Sequence, residues 1–495
     1  MYRRQILNEW DKKIMEFLSL IKQNGNQITK KEIAARMSLT RPTLIKLVAD
    51  IQAIFERMAG YQLLAANNDY RLAIAANQSI HSVFLDLLRY SRKYKILLEL
   101  FEHESINSQI FCDTNNISVS TYYAELKELN QLLQEFNLVI RNNQLQGAEF
   151  QIRHFFVSLF FNCSTFAELE QLSSRYVPQR FIEDLDLLFR IRVNKRFIHE
   201  MGLYFYVLQQ RHRNDCGQVS LLAEALFANT YDRSSQQHFL EALSRSRILD
   251  KMERILTNSG FAKDPVMQKN EQVLLVLFFM SHHFSSYDSL LFSRLQHLES
   301  VTGFSAVAIA GYFKKACHAE DSKNRQILYN LSKSVWRHLI LKGAMDIEQD
   351  LVFYKYRQDL QVINEWDTFQ QVVSGMQQQF PGFFYGDAAD DPLIGDLGRM
   401  YLYFLGDQEA THKIGIYYVD NQLLAKQMTD FYRQELNKYS NISAQPWDEA
   451  YHYDLVVTNY ESPELLENSD NIYLLNLSSP LENVKYILQM LKNNG

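Results

Sequence analysis

Two short amphipathic helices are predicted between Thr29 and Phe55, where apolar residues recur three and four positions apart. Thr29 and Glu32 have the spacing of a capping box, in which each side chain satisfies a backbone amide of the other residue at a helix start. After a turn at Ser38 and Leu39, Thr40 is expected to cap the second helix. The buried side of that helix would carry Leu44, Leu47, Val48 and Ile51. The pattern predicts a helix-turn-helix whose second helix exposes Arg41, Thr43 and Lys46.

The same pattern returns 78 residues later, in the segment QIFCDTNNISVSTYYAELKELNQLL. The shift puts Cys112, Ile117 and Ser118 where the first unit has a small, an apolar and a capping residue. A hairpin pattern follows each unit, centred on Asn67-Asn68 and on Asn142-Asn143, and asparagine tolerates the positive φ of tight hairpins. Two winged helix-turn-helix units in tandem are therefore predicted. The alternative is a helical repeat that only packs against its neighbours.

Residues 165–406 carry long apolar and aromatic helical patterns with few turn signals. The stretches 197–217 and 327–347 each combine an apolar stripe, an arginine near the end and a later glycine, so they are interpreted as the opening helices of two equivalent bundles. The stretches 271–286 and 396–407 would be the closing helices.

The last part of the chain alternates strands and helices, which predicts a small parallel-sheet α/β domain. Apolar β runs occupy 413–420, 453–460 and 471–479, and helical patterns occupy 425–439 and the final stretch. The predicted fold class is therefore mainly α, with tandem winged helix-turn-helix units, two helical bundles and a small C-terminal α/β domain.

Composition supports a helical globular protein, because only 17 glycines and 8 prolines occur in 495 residues, of which 47% are hydrophobic and 22% charged. The four cysteines are far apart and form no C-x-x-C pair, so a zinc clamp or a dithiol redox site is not expected. The first residues do not resemble a signal peptide, and the most apolar run, 273–280, is too short to span a bilayer. A cytoplasmic location is expected.

Charge is distributed unevenly along the chain. Residues 1–57 hold eleven lysines and arginines against six acidic residues, whereas the whole chain has a net charge of −6. A basic module attached to an acidic body indicates that one end meets a polyanion.

This order of modules resembles the Mga/AtxA-like virulence regulators of Gram-positive bacteria. In that family the two bundles are PRDs, domains controlled by the sugar phosphotransferase system, and the tail is similar to an enzyme IIB domain. The resemblance implies a DNA-binding transcriptional regulator. It divides the chain into winged helix-turn-helix units at 1–78 and 79–164, PRD-like bundles at 165–288 and 289–408, and an enzyme IIB-like domain at 409–495.

The histidines depart from the PRD pattern, which places a phosphorylated histidine about seven residues before the arginine of the opening helix. Counting back from Arg211 and Arg337 reaches Tyr204 and Asn330. The remaining candidates for phosphorylation by a phosphocarrier protein are His199, His282, His283 and His338. For each of them a purely structural histidine is the alternative.

The tail departs too, because the residues after its first strand are Asp420 and Asn421, whereas phosphate-carrying IIB domains have a cysteine there. A binding or dimerising role remains for this domain, and we expect a homodimer whose contacts include residues 410–495.

Specific binding of double-stranded DNA is the leading functional hypothesis. Arg41 and Thr43 would read base edges in the major groove, while Lys30, Lys31, Lys46 and Arg57 would contact phosphates. The equivalent exposed face of the second unit carries Ser120, Thr121, Tyr123 and Lys127. With fewer cations there, this unit would depend more on DNA shape.

Two other classes of protein fit the sequence less well. PRDs also occur in RNA-binding antiterminators, but those would begin with a small β-rich RNA module, and residues 1–150 have helical patterns. An enzyme is not supported, because the chain has no phosphate-binding loop, no nucleophile elbow and no zinc-protease helix, and no cofactor is expected.

Overall fold

The chain is mainly helical, with a small parallel sheet near its C-terminal end, so the predicted fold class is confirmed. The structure, a computed structural model, describes residues 3–66, 68–75, 78–189, 193–213, 241–245, 247–258, 265–282, 306–316, 324–343, 345, 360–361, 365–380, 392–406, 412–420, 422–439, 442–460, 465, 467–475 and 480–493. In these ranges no helix has both the length and the apolar character needed to cross a membrane.

The chain divides into two compact units. The first comprises Met1–Ala310, Arg325–Val352 and Phe380–Leu393, and the second comprises Gly311–Asn324, Phe353–Gln379 and Ile394–Gly495. The predicted division into five modules stays a prediction.

The first unit begins with a winged helix-turn-helix. Its elements are a short 3-10 turn Arg3–Ile6, α1 Glu9–Gln23, β1 Gln27–Thr29, α2 Lys30–Arg36, α3 Arg41–Glu56, β2 Tyr61–Ala65 and β3 Asp69–Ile74. The three strands form an antiparallel sheet with β3 in the centre. The four side chains predicted to face inward from α3 are all buried: Leu44, Leu47, Val48 and Ile51. This unit has the predicted architecture.

The second winged helix-turn-helix follows directly. It consists of α4 Ile80–Leu88, α5 Arg92–Glu102, α6 Ser108–Asn115, α7 Val119–Leu133, a 3-10 turn Gln134–Phe136, β4 Val139–Arg141 and β5 Gln144–Gln146. On α7 the predicted inward side chains of Tyr122, Leu126 and Leu129 are buried.

Helices α4 and α5 connect the two helix-turn-helix motifs and make polar contacts with both. Arg57, at the end of α3, pairs with Asp86 of α4 at 2.6 Å. The Ser91 hydroxyl, which caps α5, donates to the backbone carbonyl of Ile6 at 2.5 Å. Buried Lys93 of α5 then pairs with Glu125 and Glu128 of α7, at 3.0 and 2.7 Å. Polar contacts therefore join α3 to α4, the start of α5 to the N-terminal turn, and α5 to α7.

The helical region begins directly after the second winged unit. Its described helices are α8 Glu149–Cys163, α9 Phe166–Tyr176, α10 Gln179–Phe189, α11 Lys195–Arg213, α12 Arg247–Asn258, α13 Pro265–Ser281, α14 Ala306–Ala316, α15 Asn324–Ile340, α16 Trp366–Gln379 and α17 Pro392–Gly406. The ring of Phe101, on α5, lies 4.9 Å from Phe156 on α8 and 5.3 Å from Tyr206 on α11 between centroids. The aromatic contacts give α5, α8 and α11 one shared core.

Helix α15 packs in the first unit, although the sequence interpretation assigns it to the second bundle. Gln151 of α8 donates to the Ile340 carbonyl at 3.0 Å, and buried Lys333 donates to the Phe279 carbonyl of α13. Gly343 follows α15 with φ 74°, and a Cβ atom at this position would lie 2.8 Å from the Phe136 ring. Only glycine meets both demands, which explains the glycine after this helix.

The tail forms the predicted parallel α/β fold. Strands β6 His412–Tyr417, β7 Ile442–Pro446, β8 Leu455–Thr458 and β9 Ile472–Leu474 lie in the order β7-β6-β8-β9. Helices α18 Gln422–Leu436 and α19 Pro480–Asn493 share one apolar core with the sheet, which includes Ile414, Tyr432 and Ile487. Strand β7 is absent from the predicted strands, because this edge strand is short, polar at alternate positions and ends in proline.

Candidate nucleic-acid interface

The start of α2 is only partly the predicted capping box. The Thr29 hydroxyl accepts a hydrogen bond from the Glu32 amide at 3.1 Å, as predicted. The Glu32 carboxylate, however, pairs with Arg36 one turn later at 2.7 Å. The prediction of a reciprocal pair was wrong, because the ion pair along the helix takes the carboxylate away from the cap.

The turns of the two helix-turn-helix units have the same backbone geometry. Ser38 and Asn116, which are 78 residues apart, both have φ 51°, in the left-handed region. The amide that follows each of them donates back into the preceding helix, from Leu39 to the Ala34 carbonyl at 2.9 Å and from Ile117 to the Cys112 carbonyl at 3.0 Å. The predicted repeat is therefore present at the level of single hydrogen bonds.

The two recognition helices, α3 and α7, also begin alike. Thr40 and Ser118 occupy the N-cap positions, and their hydroxyls lie 2.8 Å from those of Thr43 and Thr121. Ser118 accepts from the Thr121 amide at 3.1 Å, whereas the Thr40 side chain makes no such bond to the backbone. The expected side-chain cap is thus present in the second unit and absent in the first. Because a hydroxyl has one donor and two acceptor positions, Thr43 and Thr121 retain capacity for a base or phosphate.

The second wing is a two-residue hairpin. Asn142 and Asn143 have φ 51° and 59°, the positive values that a type I′ turn requires, so the predicted role of this pair is confirmed. The Tyr122 hydroxyl of α7 donates to the Asn143 side chain at 3.1 Å, and this joins the wing to the recognition helix. Burial raises the pKa of Tyr122 to about 12, so the hydroxyl keeps its proton. In the first wing, Asn67 lies outside the described residues.

Helix α3 presents a basic outer face. Arg41 and Lys46 are exposed and Thr43 is half-buried at its edge. The Lys46 ammonium lies 4.9 Å from the centroid of the Trp10 ring, whose indole nitrogen donates to Asp50 at 2.8 Å. Lys46 is therefore held against α1 and still available to a phosphate.

The other side chains predicted to contact phosphates are Lys30, Lys31 and Arg57, and their surroundings differ. Lys31 is exposed, and Lys30 is half-buried with its ammonium 5.4 Å from the Tyr70 ring centroid. Arg57 is engaged by Asp86, whose hydrogen bond raises the pKa of the guanidinium. Arg57 is exposed, but Asp86 offsets much of its charge, so it has less charge left for a phosphate than the lysines have.

Helix α7 presents a different outer face. Ser120, Tyr123 and Lys127 are exposed, and Thr121 is half-buried. Residues 80–146, which form this unit, carry eight acidic residues against six basic ones, so the unit lacks the basic excess of the first. Burial would lower the pKa of Lys93, but its hydrogen bonds to Glu128 and Glu125 raise it. Lys93 thus stays charged and offsets two of these acids.

Two exposed apolar residues on the recognition helices were missed. Ile45 on α3 is 58% exposed, and Val119, the first residue of α7, is 44% exposed. Apolar residues of these helices were predicted only at core positions. The signal was present, because Ile45 falls outside the stripe that Leu44, Leu47 and Val48 form on α3.

The candidate phosphorylation histidines do not lie together on an exposed surface. His199, His282 and His338 are buried, and His283 lies outside the described residues. His199 has its Nε2 atom 3.5 Å from Glu170 and its ring against Phe166. The His282 ring stacks on Phe278 at 3.8 Å between centroids.

A buried charge cluster in the helical region was also missed. Glu149 of α8 accepts from Arg153 at 3.0 Å and from Arg211 of α11 at 2.8 and 3.1 Å. Arg153 also donates twice to Glu271 of α13, at 2.7 and 2.9 Å, and His212 lies 3.2 Å from the same carboxylate. The cluster joins three helices.

A small cavity adjoins this cluster. Its volume is about 30 Å³, room for about two water molecules, and its lining includes Arg153, His154, Tyr204 and His282. Burial, with a smaller effect from the charge of Arg337, lowers the pKa of His154 to about 3. Tyr204, at the position where the PRD pattern would have histidine, is buried against Phe278 with ring centroids 4.7 Å apart.

Neither these groups nor any other cluster in the described residues forms a candidate metal site. None of the curated proteins compared with the chain matches it. Residues 76–160 match the family model of the Mga helix-turn-helix domain, and this range contains the whole second helix-turn-helix with its wing. The chain therefore carries an Mga helix-turn-helix domain, in agreement with its resemblance to the Mga-like regulators.

Proposed function

We propose that the chain is a transcriptional regulator that binds double-stranded promoter DNA through both helix-turn-helix units. The observation that carries the proposal is the pair of turns with identical geometry, each followed by a recognition helix with a solvent-exposed outer face. The Mga helix-turn-helix match to the second unit supports the same function.

In this proposal the first unit supplies most of the electrostatic affinity. Lys30, Lys31 and Lys46 contact phosphates and displace counterions, so affinity falls steeply with salt. Arg41, the first residue of α3, reaches base edges in the major groove together with Thr43. The second unit adds contacts through Ser120, Thr121, Tyr123 and Lys127, with a larger share of shape recognition.

Binding to DNA selected from a random library, measured by fluorescence anisotropy with the full chain, tests the proposal. We expect Arg41→Ala to cost about 1–3 kcal/mol on the selected site if it contacts a guanine, and Lys46→Ala to weaken binding to all sequences alike. Arg245→Ala is a matched control, because Arg245 is exposed and lies outside both winged units. Binding that is independent of salt, or unchanged in both variants, would contradict the proposal.

The RNA-binding alternative receives no support from the N-terminal region. It requires a small β-rich RNA module, and the described residues of this region form helix-turn-helix units with short wings. Selection from a random RNA library under the same conditions serves as the comparison.

The finer parts of the proposal concern assembly and regulation. We propose a homodimer in which the tail takes part, because apolar side chains are exposed where its strands end and its helices begin: Val419, Leu423, Tyr460, Leu474 and Leu481.

Control by the phosphotransferase system would act on the helical region, as in a virulence regulator of the Mga type. His199 is the best placed of the described histidines, since Lys195 and Arg196 precede it on the same helix. Phosphorylation would add about two negative charges beside them, but the buried ring has to turn outward first. Incubation with the phosphocarrier protein, followed by mass spectrometry under conditions that preserve phosphohistidine, tests this. Absence of label on all four histidines would leave the bundles as structural elements.

A further inference from the structure

The two recognition helices expose a large apolar or aromatic side chain at the same position. Ile45 is the fifth residue of α3, and Tyr123 is the fifth residue of α7. The two are 78 residues apart and are 58% and 54% exposed. A single exposed apolar residue needs no explanation, but exposure at the same site of a structural repeat indicates a shared use.

The surroundings of Ile45 indicate what would cover it. Arg41 lies one helical turn before it and Lys46 directly follows it, and both are exposed. Their positive charges attract a polyanion to this face, and a purely apolar protein surface would leave both cations unpaired. In the major groove of DNA, the C5 methyl group of thymine is the apolar feature that a side chain of this kind can contact.

We propose that Ile45 is a specificity-determining residue that packs against a thymine methyl group in the major groove. The inference rests on the proposed DNA binding. It adds that the site contacted by the first unit contains a T·A pair, at a fixed distance from the base pair that Arg41 contacts. Tyr123 occupies the same place in the second unit.

The test removes the methyl group and nothing else. A site is selected from random double-stranded DNA with the full-length chain, and each thymine is then replaced in turn by deoxyuridine. We expect one replacement in the part of the site bound by the first unit to weaken binding about four-fold, which corresponds to about 0.8 kcal/mol, the value of one buried methyl-sized group.

The same probes are then measured with Ile45→Ala. This variant should bind the thymine and deoxyuridine probes equally, whereas Leu187→Ala should keep the four-fold difference, because Leu187 is 71% exposed on α10 and outside the winged units. Since Ile45 is exposed, its replacement should leave the melting temperature unchanged, and this is measured in parallel.

Two results would overturn the inference while leaving the proposed function intact: binding that no thymine replacement weakens, or a methyl effect that persists in Ile45→Ala. Failure to select any DNA sequence would overturn the proposed function together with the inference.

Discussion

Replacing Glu149 by glutamine should destabilise the first compact unit strongly. In the native chain the charges of Glu149 and Glu271 balance those of Arg153 and Arg211, with all four side chains buried. The glutamine side chain is neutral, so a net positive charge is left in the interior. In addition, one carboxylate oxygen that accepted hydrogen bonds is replaced by an NH₂ group, a donor that faces the guanidinium groups. Breaking a buried pair in this way costs about 3–5 kcal/mol.

This cost is large because whole domains are stable by only about 5–15 kcal/mol. Urea unfolding, followed by the loss of helical circular dichroism, measures it. Glu183→Gln is the matched control, since Glu183 is exposed on α10, and its replacement should change stability by less than about 0.5 kcal/mol.

A double-mutant cycle separates charge balance from general damage. Arg211→Met in the Glu149→Gln background restores a neutral interior, so the double variant should be at least about 1 kcal/mol more stable than the sum of the single effects predicts. Additive effects, or a loss below about 1 kcal/mol in Glu149→Gln alone, would refute the reasoning.

Three further predictions concern pH, backbone geometry and assembly. The folded state lowers the pKa of His154 to about 3 from its ordinary value near 6.5, so its contribution to stability is complete above pH 6.5 and is lost as the pH falls toward 3. In His154→Gln the free energy of unfolding should therefore depend less on pH in this range. An unchanged pH dependence would contradict the assignment. Gly343→Ala should cost about 1–3 kcal/mol, since the left-handed backbone and the Phe136 ring both oppose a Cβ; equal melting temperatures would contradict this. Leu423→Glu should shift the full chain toward monomer in sedimentation experiments, because Leu423 is 69% exposed at the carboxyl edge of the tail sheet; a persistent dimer would move the interface elsewhere.

Local signals in the sequence predicted the elements that local geometry controls. Residues within a few positions of one another determine three of these features: the inward positions of α3 and α7, the Asn142-Asn143 hairpin, and the alternation of strands and helices in the tail. The same locality explains the misses. Arg153 and Glu271 are 118 positions apart, so no spacing pattern could pair them. The predicted capping box was wrong for a related reason. The Glu32 carboxylate had two possible partners within one helical turn, the Thr29 amide and Arg36, and spacing alone does not decide between them.

The location of the candidate interface was predictable from the sequence, but the ion pairs that offset its charges were not. The count of charged residues identified the basic N-terminal region. It could not show that Asp86 forms an ion pair with Arg57, or that Lys93 pairs with Glu125 and Glu128. Such pairings depend on how α4 and α5 pack, which the periodicity of each helix alone does not determine.

The contacts through α4 and α5 have a consequence for the layout of the DNA site. Two DNA-binding units joined by a flexible tether tolerate a change in the distance between their half-sites, since the tether can lengthen. Here helices α4 and α5 lie between α3 and α7. Asp86 of α4 pairs with Arg57, Ser91 at the start of α5 bonds to Ile6, and Lys93 of α5 pairs with α7, so this connection cannot lengthen in that way. Inserting about 5 base pairs between the two contacted segments turns one of them to the opposite side of the duplex, and inserting about 10 restores the side but not the distance. If both units bind DNA as proposed, this connection fixes the distance between the two contacted segments, and we expect both insertions to abolish simultaneous binding.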